Sequence, residues 1–124
     1  MKIEEHVMDL TNESIRKAID ICIKENGYKV IIACTNKSLE TTIEVLRCML
    51  RNTKNVEKHV YNIAFSGDRK EVRFYNGSFI KIINDDTKAR GYRIHSLLVD
   101  EDIPSDIVDC VLKPYLVDES RFRG

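Results

Sequence analysis

The run Ser96-Leu97-Leu98-Val99 stops abruptly at Asp100-Glu101, and this junction limits the possible folds more than any other stretch of the chain. A short apolar run without alternation is a strand covered on both faces, as in a parallel sheet flanked by helices. Ligands of such sheets gather just beyond the carboxyl ends of the strands, which is where the two acids stand. Asp100 is placed to hold a magnesium ion, and Glu101 to polarise a water for attack on a phosphate. The plainer reading is that Asp100, Glu101 and Asp102 open a surface loop, because acids are common after any strand.

The remaining pattern supports the same class of fold. After residues 1–10, which read as an edge strand or a short helical turn, Thr11 or Asn12 caps a helix with the stripe Ile15, Ala18, Ile19, Cys22, Ile23, and Gly27 ends it. Lys29 to Cys34 is β-branched and uninterrupted, a second buried strand. Thr35, Asn36 and Ser38 offer caps for a helix with the stripe Leu39, Ile43, Leu46, Leu50. A strand is expected near His59 to Ala64. Residues 72–83 read as a hairpin closed by Asn76-Gly77, both of which tolerate positive φ. The second apolar strand is expected at 95–100. Pro104 and Ser105 then open a helix carrying Ile107, Val108, Val111 and Leu112, which Pro114 stops. The expected architecture is a three-layer α/β domain over residues 1–116, with a short, mostly parallel sheet, helices on both faces and an antiparallel hairpin, followed by a tail at 117–124.

Composition sets the remaining bounds. With 43% apolar and 32% charged residues among 124, a disordered chain is unfavoured and one domain is the natural unit. No apolar run approaches a bilayer span and the N-terminus does not read as a signal peptide, so a cytoplasmic protein without a membrane partner is expected. Cys22, Cys34, Cys48 and Cys110 form no C-x-x-C pair and read as reduced core residues. His6, His59 and His95 lack a ligand or catalytic context. Lysine plus arginine equals aspartate plus glutamate at 20 each, so no global charge draws the chain to nucleic acid. The distribution is nevertheless uneven. Arg69, Lys70, Arg73, Lys81, Lys88, Arg90 and Arg93 face only Glu71, Asp85 and Asp86, whereas residues 100–119 are acidic apart from Lys113. Arg69, Lys70, Arg73, Lys88 and Arg90 are therefore the candidates for contact with DNA or an acidic protein surface, and the charge split also suits self-association. A solvated face that keeps the domain soluble is the plainer reading of the same bases.

The order of motifs resembles a known family. Asn76-Gly77-Ser78 before Ile80-Lys81-Ile82-Ile83, then Arg90-Gly91, then Leu98-Val99-Asp100-Glu101, then Ile103-Pro104 and Leu112-Lys113-Pro114 is similar to the ATPase domain of phage terminase large subunits, the DNA-packaging motors. Tyr28 to Thr35 looks like the second strand of that domain. The resemblance spans roughly residues 14 to 116, and the part after Arg90 carries most of its weight. It implies a P-loop-type fold in which Asp100-Glu101 is the Walker B pair, Mg-ATP is the cofactor, and other packaging or host proteins and DNA are the partners in a host-cell cytoplasm.

The phosphate loop that this chemistry needs is missing. None of Gly27, Gly67, Gly77, Gly91 and Gly124 is followed by Lys-Ser or Lys-Thr, and the corresponding stretch reads Met8-Asp9-Leu10-Thr11-Asn12-Glu13-Ser14, with acids where phosphates would sit. Three readings follow: a terminase-like module without independent ATP hydrolysis that binds protein or nucleic acid; a half-site completed by another chain's phosphate loop; or a small interaction protein that keeps the fold as scaffold. If the acids are relics, Asp100→Asn should leave folding intact or raise the melting temperature, because unpaired like charges at a strand end are unfavourable.

Overall fold

The computed structural model of the chain describes residues 7–67, 69–84 and 94–108. Ten elements follow one another: β1 (Val7–Asp9), α1 (Asn12–Lys24), β2 (Lys29–Ala33), α2 (Leu39–Arg51), α3 (Val56–His59), β3 (Val60–Ser66), β4 (Arg69–Phe74), β5 (Phe79–Ile83), β6 (Ser96–Val99) and α4 (Ser105–Ile107). The strands form one sheet in the order β1-β6-β2-β5-β4-β3. β1, β6, β2 and β5 pair in parallel, and β4 alone is reversed between β5 and β3. The protein is therefore an α/β fold, with the two continuous apolar strands side by side at the centre: Ile31 is in register with Leu97 and Ile32 with Leu98.

Each face of the sheet has its own core. On one face Val30, Ile32, Val72, Phe74, Ile80, Ile82 and Leu98 pack against the apolar stripes of α1 (Ile15, Ala18, Ile19, Cys22) and α2 (Ile43, Leu46, Leu50). On the other, Ile31, Ala33, Phe79, Ile83, Leu97 and Val99 pack with Ile94 and with Ile103, Ile107 and Val108 around α4. This places helices on both faces. A strand between two apolar layers cannot alternate in polarity, which is why β2 and β6 read as continuous runs.

α1 ends where the chain must reverse into β2, and the Asn76-Gly77-Ser78 turn stabilises that end. The Asn76 amide donates to the carbonyls of Cys22, Ile23 and Glu25 at 2.7, 3.3 and 3.1 Å. Ser78 Oγ donates to Glu25 O and accepts from Tyr28 N–H. These bonds satisfy carbonyls that a helix leaves without internal partners. Of Asn76 and Gly77 only the glycine adopts positive φ, +88°, and a Cβ there would lie 3.7 Å from Gly27 Cα. Both turn residues tolerate positive φ, but only the glycine uses it. Asn76 instead takes an ordinary φ, and its side chain serves α1 and accepts from Ser78 N–H.

The boundaries differ from expectation in several places. His59 closes the short helix α3, so the strand starts at Val60. The polar stretch around Gly67 is itself a hairpin turn, and β3, β4 and β5 form a three-stranded antiparallel meander rather than one hairpin. Cys48 is exposed, whereas Cys22 and Cys34 are buried as expected. Cys110, Val111, Leu112, Pro114 and residues 117–124 lie outside the described residues. Among the described residues, no helix is long and apolar enough to cross a membrane.

Candidate functional site

The carboxyl ends of β1 and β6 meet the amino ends of α1 and α2, and a cleft of about 380 Å³ lies between them. Its walls carry Asp9, Thr11, Asn12, Ser38, Asp100 and Glu101, with Ile15 and Val45 among its apolar lining. Parallel order creates this site. Because β1, β6 and β2 run the same way, Asp9 and Asp100 both emerge at one edge of the sheet.

Asp100 is firmly held there. Its N–H donates to Ala33 O at 2.9 Å, extending the β6–β2 ladder by one residue. One carboxylate oxygen accepts from Ser38 Oγ, and the other accepts from Asp102 N–H at 3.0 Å. The Ser38 hydroxyl, followed by the Asp102 N–H, holds the carboxyl below its ordinary pKa against the opposing effect of burial. Asp100 is 9% exposed. Asp100 is thus tied to the start of α2, where a negative charge also complements the helix dipole, and the condition of an unpaired acid at the strand end does not hold for it. Glu101, by contrast, is exposed.

The two helix amino ends beside the cleft differ. At α1, Thr11 Oγ1 accepts from Ser14 N–H and Ser14 Oγ accepts from Thr11 N–H, a reciprocal capping box. At α2, Ser38 is the N-cap residue but makes no capping bond to the helix backbone; its hydroxyl goes to Asp100. A phosphate cradle needs free N–H groups and a lysine. The described lining instead has three carboxylates and no lysine or arginine.

The described lining offers carboxylates but no base to cradle a nucleotide's phosphates. Among the described residues, no three histidine, cysteine, aspartate or glutamate side chains come together as a metal site. The cleft suits a cationic or hydroxyl-bearing group instead, since like charge repels an anion. Cys34 borders the same edge, donating its thiol to Ile83 O, and burial pushes that thiol up to about 11, so it is no nucleophile at neutral pH.

The structure disperses the candidate bases. In β4, alternate residues share a face. Val72 and Phe74 point into the helix-side core, while Glu71 and Arg73 point to the opposite face. Arg73 Nε donates to Glu71 Oε2, and Lys81 Nζ lies 3.9 Å from the other oxygen. Glu71 is 2% exposed and thus a buried acid neutralised by two bases. Tyr75 is exposed with its ring tilted beside that of Tyr61, whereas Arg73 is bound to Glu71 and lies 5.8 Å over the Phe79 ring. Lys70 donates to Gly67 O at 2.5 Å, closing its own hairpin turn. Arg69 is exposed, and Lys88 and Arg90 lie outside the described residues.

Asp9, already in the stretch that the resemblance sets in place of the phosphate loop, joins the cleft because residues 7–9 form a strand parallel to β6. Ser38 was read only as a helix cap, and nothing in the local sequence points 62 residues ahead to Asp100. Comparison with protein-family models, with curated proteins and with solved structures finds no match for this chain.

Proposed function

We propose that this chain is a terminase-ATPase-like α/β module that does not hydrolyse ATP by itself and acts by binding another protein. The resemblance in motif order supplies the family. One observation supports the loss of phosphate chemistry: the cleft beyond β1 and β6 has Asp9, Asp100 and Glu101 in its lining, no base among the described residues, and beside it the amino end of α1 is closed by the Thr11–Ser14 capping box. Losing both lysine and backbone cradle removes several kcal/mol of phosphate stabilisation, and each ~1.4 kcal/mol slows the step about tenfold.

A protein partner is favoured over nucleic acid because three described bases of the meander are engaged within the chain. Arg73 and Lys81 neutralise Glu71, and Lys70 closes a turn. A basic side chain of the partner matches the charge of the cleft.

Isothermal titration with Mg-ATP and with a non-hydrolysable analogue, beside an ATPase assay, tests the reading. No heat and no turnover above background are expected. Turnover abolished by Glu101→Gln would overturn it in favour of a half-site completed by a second chain. Fluorescence anisotropy with a labelled duplex tests the other branch. Binding with a log-log salt slope near −3 to −4, as about four neutralised phosphates would give, would establish DNA as the partner instead.

A further inference from the structure

We infer that two copies of this chain pair through the outer edge of β3, joining their sheets across a two-fold axis at Ala64. β3 ends the sheet, and among the described residues no strand pairs with its outer side. At seven residues it is the longest strand described, against three for β1 at the opposite edge. Long edge strands are ordinarily blunted by charge, proline or a bulge, because their free N–H and C=O groups template pairing. Val60-Tyr61-Asn62-Ile63-Ala64-Phe65-Ser66 contains no charge and no proline. Its one irregularity is the register shift between Val60 and Asn62, which leaves Asn62 to Ser66 regular. Ile63 is 48% exposed there, an isoleucine at an open edge.

The phase of the hairpin selects the pairing. Ser66 opposes Arg69 across a two-residue turn, so this closing pair and then Ala64 with Glu71 and Asn62 with Arg73 are the hydrogen-bonded positions. The N–H and C=O groups of Ile63 and Phe65 consequently face outward. An antiparallel second copy centred on Ala64 sets Ile63 of each chain against Phe65 of the other. Each such pair exchanges two backbone hydrogen bonds, and the apolar side chains meet on the helix-covered side of the sheet. Asn62 then meets Ser66, so no like charges are opposed.

The occupant is a second copy rather than a different protein because this register is self-complementary about its centre. The chain also carries no net charge, with 20 bases and 20 acids, so nothing at long range opposes two copies approaching. The proposal is independent of the cleft and its ligand.

Sedimentation equilibrium of the full chain at concentrations up to about 0.2 mM tests association, a range suited to a weak, small interface. A concentration-dependent rise to twice the monomer mass is expected. Ile63→Lys, tolerable at a half-exposed position, should hold the mass at that of a monomer. Register is read separately with Ala64→Cys, since directly opposed residues at a non-hydrogen-bonded position bring their Cβ atoms within disulfide range. Under mild oxidation Ala64→Cys should form a covalent dimer that the parent chain, with its native cysteines, does not form. A parent chain that stays monomeric throughout, a dimer unchanged by Ile63→Lys, or a dimer in which Ala64→Cys fails to cross-link would each overturn the proposal.

Discussion

Ser38 Oγ donates a hydrogen bond to the carboxylate of Asp100, joining the start of α2 to the end of β6. The bond links positions 62 residues apart and lies at the mouth of the cleft, so it fixes the relative position of two of its walls. A hydrogen bond to a charged group contributes about 1.5–3 kcal/mol. Ser38→Ala and Asp100→Asn should each lower stability by about 1–2 kcal/mol. The double variant should lose less than the sum, because both remove the same interaction. Chemical denaturation of the four proteins checks this. Glu101→Gln, at an exposed position, should stay within about 0.5 kcal/mol of the parent.

The same bond gives acid sensitivity with a defined sign. Ser38 and the Asp102 N–H hold the Asp100 carboxyl below its ordinary value, so the folded state binds the proton less readily than the unfolded chain does. The stabilisation is therefore fully present above the unfolded-state value, about 3.9 for aspartate, and is lost as pH falls through the lower folded value. Between pH 4 and 2 the parent should lose more stability than Asp100→Asn, and the gap between them should narrow. Melting temperatures at matched ionic strength across that interval measure it.

The central layer of this fold is legible because burial on both faces leaves a mark that needs no partner to interpret. Lys29 to Cys34 and Ser96 to Val99 read as covered strands, and the stripes of α1 and α2 read as one-sided helices; all take those places. What sequence conceals is pairing across distance. β1 is three residues long and owes its existence to β6, and α3 occupies a stretch read partly as strand. Arg73 looks like a free base because nothing local shows that Glu71, two residues earlier, is buried beside it. The candidate site follows the same rule. Asp100 and Glu101 are visible at the end of an apolar run, but Ser38 and Asp9 become neighbours only once the parallel order is known.

Glu71 and Arg73 make a prediction that separates structure from recognition. Removing one partner of a buried ion pair leaves an uncompensated charge, which costs about 3–5 kcal/mol in a fully buried case. Arg73 is 41% exposed and Lys81 stands nearby, so Arg73→Ala should cost less, about 1–2 kcal/mol. Exposed Arg69→Ala should be nearly neutral. Urea denaturation distinguishes them, and equal, negligible effects would return Arg73 to the set of free surface bases. A loss of partner binding in Arg73→Ala is thus to be judged beside its stability, whereas the same loss in Arg69→Ala reports on the surface alone.

Asn76 supplies the last and most discriminating test. Its amide nitrogen reaches three carbonyls at the end of α1, where the helix dipole concentrates negative charge. Asn76→Ala removes the donor and leaves those carbonyls without it, a cost of about 1–3 kcal/mol. Asn76→Asp should cost more although it is closer in shape: a carboxylate cannot donate, and it would set a full negative charge against three carbonyl oxygens. Lowering the pH through the aspartate's protonation should recover part of the difference, because the neutral acid regains one donor. Thermal melts of both variants at neutral and mildly acidic pH check the order. If Asn76→Asp proved as stable as the parent at neutral pH, the Asn-Gly-Ser turn would owe its place to the backbone reversal at Gly77 and not to its grip on α1.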